Sequence, residues 1–115
     1  MGTAHAAGVA AEQRARTYLE SAGLYFVSNN FRCHGGEIDL IMRSDDTLVF
    51  VEVRYRRNKQ FGGAAASVTT TKQRRLRLAA RTYLQRFRIS MPSRIDVISM
   101  NGPEIEWIIN AIEAD

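Results

Sequence analysis

The 115 residues are 45% hydrophobic and carry a formal net charge of +4, a length and composition suited to one domain, residues 1–115, around a single core. No run approaches the roughly 18 apolar residues that span a bilayer, and Met1 to Ala11 lacks the positive stretch leading into an apolar one that marks a secretory signal, so no membrane partner is expected. The lone Cys33 excludes an internal disulfide and a thiolate zinc framework, which makes the reducing cytoplasm the expected compartment.

In chain order, Gly8, Ala11, Ala15, Tyr18 and Leu19 recur at helical spacing and predict a helix from about Ala6 to Ala22, stopped by Gly23. Leu24 to Val27 is a short apolar run of β-formers, after which Asn29-Asn30 and Gly35-Gly36 bracket a predicted loop. Glu37 to Arg43 and Leu48 to Arg54 read as two strands about the polar turn Ser44-Asp45-Asp46-Thr47. Asn58 to Thr70 holds Gly62-Gly63, three alanines and no strong period, which predicts a loop. A long helix follows, with Thr70 or Thr71 as its cap and Leu76, Ala79 or Ala80, Tyr83, Leu84 and Phe87 on its apolar face. Beyond Pro92, Arg94 to Met100 is a strand, Asn101-Gly102 a hairpin turn, and Glu104 to Ile109 a return strand with Ile105, Trp107 and Ile109 on one face. The order α-β-β-β-α-β-β, with a long helix between two strands, predicts a crossover and an α/β fold whose mixed sheet is flanked by helices.

Charge is segregated along this order. Fourteen of the sixteen basic residues are Arg, and between Glu52 and Asp96 there is no acidic residue at all. Arg54, Arg56, Arg57, Lys59, Lys72 and Arg75 fall in that interval and are candidate phosphate contacts. Helices built only for solubility mix both signs to gain i,i+4 pairs; one sign over so long a stretch is the footprint of a polyanion-binding surface. Arg suits phosphate because its planar fork donates two parallel hydrogen bonds. Tyr55, among Arg54, Arg56 and Arg57, is the best candidate for stacking on a base.

A tight turn at Asp45-Asp46 opposes Ser44 to Thr47, Ile41 to Phe50, Asp39 to Glu52 and Glu37 to Arg54, all on one face of the strand pair. The other face, Ile38, Leu40, Met42, Val49, Val51 and Val53, is entirely apolar. Two carboxylates about 5 Å apart repel by about 3 kcal/mol at an effective dielectric near 20. A divalent cation between Asp39 and Glu52 reverses that sign, and hard oxygen ligands favour Mg²⁺ or Mn²⁺. The alternative is a surface pair neutralised by Arg43, Arg54 and Arg56.

The run Gly36-Glu37-Ile38-Asp39-Leu40-Ile41 with Val51-Glu52-Val53-Arg54 resembles the core of the PD-(D/E)xK nuclease superfamily. With Gly8-x-x-Ala11-Glu12, Asn30-Phe31-Arg32, Lys72 and Arg94-x-Asp96-Val97, the chain is more closely similar to the bacterial YraN-like family, relatives of the archaeal Holliday-junction resolvases. That resemblance implies a restriction-endonuclease-like core and a metal-dependent endonuclease acting on nucleic acid, with DNA the expected partner. It implies Asp39 and Glu52 as central metal ligands, Glu12 as the acid completing the site, and Glu37 as a further ligand or the partner of Arg54. The superfamily's Lys is Arg54 here. Arg stays protonated and is a poor general base, though it can orient a water or stabilise developing charge, and Lys72 is the candidate for the missing ammonium. The catalytic set implied is thus Asp39, Glu52, Arg54 and Lys72. Junction-cleaving relatives act as dimers, so a homodimer is the analogous expectation.

The other chemistries have weaker signals. His5 and His34 lack a second ligand at zinc spacing, and Ser67 and Cys33 have no His-carboxylate arrangement for a nucleophile. Asp96 is expected near the site or paired with Arg94. Three function classes remain open: the nuclease, a nucleic-acid-binding module of the same fold without catalysis, and an interaction domain whose basic face docks on an acidic protein.

Overall fold

The computed structural model describes residues 3–56 and 68–113, and the side chains of residues 8–55 and 68–113. Seven elements follow in the order α1 (Thr3–Ser21), β1 (Tyr25–Cys33), β2 (Gly36–Ser44), β3 (Thr47–Arg56), α2 (Thr70–Arg86), β4 (Ser93–Asn101) and β5 (Glu104–Ile112). The five strands form one sheet in sequential order, antiparallel except for the parallel β3–β4 pair. Parallel neighbours need a crossover, which is where α2 lies. The α-β-β-β-α-β-β order and mixed sheet are those of a restriction-endonuclease-like core. No described helix is long and apolar enough to cross a membrane.

Each helix covers one face of the sheet. Ala11, Ala15 and Leu19 of α1 pack on Leu40, Met42, Val49, Val51, Ile98 and Met100. Leu76, Ala79, Ala80 and Tyr83 of α2 pack on Ile38, Ile41, Leu48, Phe50, Ile95 and Val97. Small residues on both helices let their backbones approach the strands closely. At Gly36 this is obligatory: a Cβ there would stand 2.3 Å from the Arg75 carbonyl oxygen, and Arg75 Nε donates to the neighbouring Gly35 carbonyl at 3.3 Å. The first turns of α2 are thereby held against the start of β2.

The β2–β3 hairpin turns tightly, with Ser44 opposite Thr47 and Ile41 opposite Phe50, as the alternation requires. Several expectations need correction. Residues 29–33 are strand, not loop, so β1 runs well past the apolar Leu24–Val27 segment; Tyr25 and Val27 are exposed on this edge strand. Edge strands need only one apolar face, and the polar Asn29-Asn30 pair concealed the element. Ile38 does not share a face with Leu40: it packs in the α2 layer with Ile41, while Leu40 and Met42 face α1. The change of face falls at Asp39, where the β1–β2 register passes Asn30, whose φ is +53°. Val53 is only half-buried.

Further along, Thr69 caps α2, accepting at Oγ1 from the Lys72 N–H at 3.1 Å, one residue before the predicted caps. Phe87 lies past the helix end, before Arg88 at φ +53°, and is largely exposed, with its ring against Tyr83 at 4.7 Å between centroids. β5 extends to Ile112, and a register shift at its pairing with β4, with Asn110 at φ +55°, turns Ile109 out to solvent. Ile105 and Trp107 pack in the α1 layer as expected, and Tyr83 in the α2 layer.

Candidate functional site

Pairing between β2 and β3 runs from Ser44↔Thr47 to Leu40↔Val51 and then gives way to side-chain contacts. The Asp39 Oδ2 accepts from the Val53 backbone N–H at 2.9 Å, so a carboxylate takes the place of a strand carbonyl. The expected meeting of Asp39 with Glu52 occurs, since the two carboxyl groups stand within hydrogen-bonding reach of each other. With both ionised, that contact has no donor; it needs a shared proton or a cation.

Glu52 is 2% exposed, one of three buried polar or charged residues among those described. Its Oε2 lies 3.5 Å from Lys72 Nζ and 3.8 Å from Arg54 Nη1. Its Oε1 is buried with no hydrogen-bond partner. Burial pushes its carboxyl up to about 8, the charge of Asp39 adds to the rise, and Lys72 and Arg54 oppose it incompletely. The pocket is short of positive charge despite two cations at its rim.

Glu12 reaches the same end of the sheet from α1, which Arg14 ties to the β4–β5 turn by donating to the Gly102 carbonyl at 3.0 Å. The Glu12 carboxyl is raised from its ordinary value by burial first, then by Asp39 and Glu37, while a hydrogen bond from Asn30 and the charge of Arg32 oppose the rise. Asp39 is thus the common neighbour of Glu12 on one side and Glu52 on the other. Glu37 is exposed; it stands opposite Arg32 in the β1–β2 register and lines a cavity of about 80 Å³ with Lys72, Arg75 and Leu76. Arg54 Nη1 stands 3.8 Å from Glu52 Oε2.

The donor set suits a hard divalent cation in part. The orphaned Glu52 oxygen has no competing donor, Asp39 keeps one oxygen on the Val53 N–H and adds its negative charge beside it, and Glu12 borders Asp39. Among the described residues, however, no group of three or more His, Cys, Asp or Glu is already drawn together to hold a metal ion. The structure gathers a pair and a neighbour, and Glu12 would have to close on them.

Of the candidate phosphate contacts, Lys72 and Arg75 lie on the first turns of α2 beside the carboxylates and Arg54 at the end of β3. The Arg56 side chain and all of Arg57 and Lys59 lie outside the described residues, as do Ser67 and most of the predicted 58–70 loop. Tyr55 is exposed, as stacking requires. Asp96 is not part of the site. It is fully buried, receiving Arg94 Nε at 3.0 Å, Trp107 Nε1 at 2.9 Å and the Asn110 N–H at 2.8 Å. Asn30 and Arg32, beside Glu12, are absent from the residues singled out as site candidates. The signal in the sequence was the Asn29-Asn30 pair just before Phe31, since Asn tolerates a left-handed backbone.

Comparison with known proteins places this arrangement among relatives. A UPF0102 protein of Janthinobacterium sp. (strain Marseille) is 55% identical over 108 residues, 94% of this chain and 88% of the relative. One from Shewanella frigidimarina is 55% identical over 101 residues, 88% and 94% of the two chains, and one from Yersinia enterocolitica 54% over 107 residues, 90% and 92%. The model of the Uncharacterised protein family UPF0102 matches residues 11–100, spanning α1 from Ala11 to β4 and hence Glu12, Asp39, Glu52 and Lys72, and the chain belongs to that family.

Proposed function

We propose that this protein is a Mg²⁺- or Mn²⁺-dependent endonuclease that hydrolyses phosphodiester bonds in nucleic acid, with DNA the expected substrate. The observation that carries the reading is the buried Glu52 Oε1, without a hydrogen-bond partner and beside a second carboxylate. A stability-driven design would fill such a position with an apolar residue or a donor. The likeness of the Glu37–Ile41 and Val51–Arg54 segments to the PD-(D/E)xK core supports the same reading.

Asp39 and Glu52 would hold the ion, with Glu12 completing the set. The bound cation would supply Lewis-acid stabilisation of the phosphate and activation of a water. The chain's own groups would do the rest. Val53 N–H fixes the rotamer of Asp39. Lys72 and Arg54, both on Glu52 in this state, would turn toward the phosphate and stabilise its added negative charge. Arg75 at the rim would hold a flanking phosphate.

Arg54 in the position of the superfamily's Lys favours a second reading, a nucleic-acid-binding module without catalysis. Incubation with duplex, single-stranded and branched DNA and with RNA, in Mn²⁺ or in EDTA, separates the two. Metal-dependent cutting lost in Asp39→Ala and Glu52→Ala supports the nuclease. Salt-sensitive binding with no cutting on any substrate supports the module. No binding at low salt sinks both.

A further inference from the structure

We infer that the cavity between α2 and the start of β4 is a nucleotide subsite, taking a pyrimidine ring on an apolar floor and the attached phosphate on Arg77 and Arg81. The cavity has a volume of about 150 Å³, and Phe50, Ala80, Leu84 and Ile95 form its floor. None of Glu12, Asp39, Glu52 or Lys72 lines it, so the inference stands apart from the metal reading.

Size and lining decide the ligand. A cavity of this volume takes one six-membered ring, which excludes a lipid tail and favours a pyrimidine over a purine. Ser93 adds an uncharged polar residue to the lining, and a few polar groups in an apolar pocket are what orient a small ligand. Arg77 and Arg81, at the rim, are four residues apart on α2 and so share one face of it. Two like charges repel there. A phosphate between their forks relieves the repulsion and accepts paired hydrogen bonds. Each of the two already makes an interaction in this structure, which the phosphate would share or displace. Arg94, the third arginine of the lining, is different: the fully buried Asp96 holds its Nε at 3.0 Å, so its charge is matched within the fold. Neither α2 nor the start of β4 brings an acid to repel the ligand, since the chain has none between Glu52 and Asp96.

The cavity is also close enough to the carboxylates to serve one strand. Phe50 pairs with Ile95, and Glu52 with Val97, in the β3–β4 register. The two levels are about 7 Å apart along the strands, roughly the rise of two stacked nucleotides. A strand crossing the carboxylates can therefore place a neighbouring nucleotide here, and a free nucleotide offers the same chemistry.

Thymidine 5′-monophosphate, deoxyadenosine 5′-monophosphate, thymidine, inorganic phosphate and a short oligothymidylate are titrated in EDTA into ¹⁵N-labelled protein. The backbone amides of Ala80, Arg81, Leu84 and Ile95 are expected to move with thymidine 5′-monophosphate. Thymidine and phosphate are each expected to bind roughly tenfold or more weakly, because each keeps one half of the contacts. Arg81→Glu, at an exposed position, is expected to lose roughly tenfold or more. Arg74→Glu, exposed on the same helix but outside the lining, is expected to lose nothing. Phosphate binding as tightly as the nucleotide, the purine binding tighter than the pyrimidine, shifts confined to Lys72 and Arg75, or equal losses in the two variants each overturn the assignment. Movement of the same amides with oligothymidylate supports it with a strand as the source; movement with the mononucleotide alone supports it with a free nucleotide. Because binding is read without metal, failure here leaves the metal reading standing, and a protein that binds no Mn²⁺ leaves the subsite standing.

Discussion

The Asp39 carboxylate accepts the backbone N–H of Val53 at 2.9 Å, and with that bond the hairpin stops being a plain ladder and becomes a site. One oxygen of Asp39 serves the fold, while its charge acts on Glu52. The two roles are separable by substitution. Asp39→Asn retains an oxygen for Val53 and loses the charge; Asp39→Ala leaves the N–H without this acceptor. In urea unfolding with EDTA present, Asp39→Ala is expected to be less stable than Asp39→Asn by about 1–2 kcal/mol. Equal stability of the two would remove the structural role assigned to the carboxylate.

Glu52 makes metal-free stability pH-dependent in a direction opposite to that of most carboxylates. Its folded-state value, about 8, lies above the ordinary 4.5. Between those two values the folded protein holds this proton more tightly than the unfolded chain does, so the group's contribution is fully present below the lower value and is lost as pH rises through the upper one. Glu12, also raised, acts in the same direction. Glu52→Gln should therefore be more stable than wild type at pH 8, by about 1 kcal/mol or more, with the difference shrinking at pH 5. Urea titrations at both pH values check this, and a variant equally destabilised at both would contradict it.

Divalent cation should reverse that balance in the wild-type protein alone. An ion bound only by the folded state stabilises by about 2.7 kcal/mol at a hundred times its Kd. Thermal melts with Mn²⁺ against EDTA are expected to rise for wild type and to stay flat for Glu52→Gln. Equal shifts in both would place the ion elsewhere.

Lys72, at 3.5 Å from Glu52, is the cation whose loss should be felt in the reaction more than in binding. Lys72→Ala is expected to lower the cleavage rate by roughly a hundredfold with a much smaller change in affinity for the uncut substrate. Arg54→Lys should remain active, since an ammonium at that position is the arrangement the superfamily resemblance implies. A Lys72→Ala enzyme with unchanged cleavage rate would exclude Lys72 from the chemistry.

Asp96 and Gly36 are predicted to matter for stability rather than for phosphate. Asp96→Ala strips the partner from the half-buried Arg94 and Trp107 groups and from the Asn110 N–H, at a cost of about 1–3 kcal/mol. The single tryptophan reports it directly, by a red shift of its emission in whatever folded fraction remains. Gly36→Ala drives a methyl into the Arg75 carbonyl and should cost about 1–3 kcal/mol, visible as a lower urea midpoint.

The order of residues alone determined the number of elements and the tight Asp45-Asp46 turn, and with them the facing of Asp39 and Glu52 that the whole reading rests on. These are local or strictly periodic properties. A two-residue turn and an alternating strand leave one register in which the valines stay covered, so the hairpin could be read without a third dimension. The basic segment was equally legible, because sign segregation is a property of the chain.

Tertiary structure decided what lies between elements. Both faces of the sheet are covered, so Ile38 can leave the face of Leu40 with no apolar side chain exposed, and no hydrophobic pattern marks the change. That change at Asn30 and Asp39, the approach of Glu12 from a helix far away in the chain, and the meeting of Lys72 with Glu52 depend on how α1 and α2 seat on the strands. Thr69 became the cap, and Phe87 fell past the helix end, for the same reason: packing against the sheet selects where a helix begins and stops among several residues whose own preferences are nearly equal.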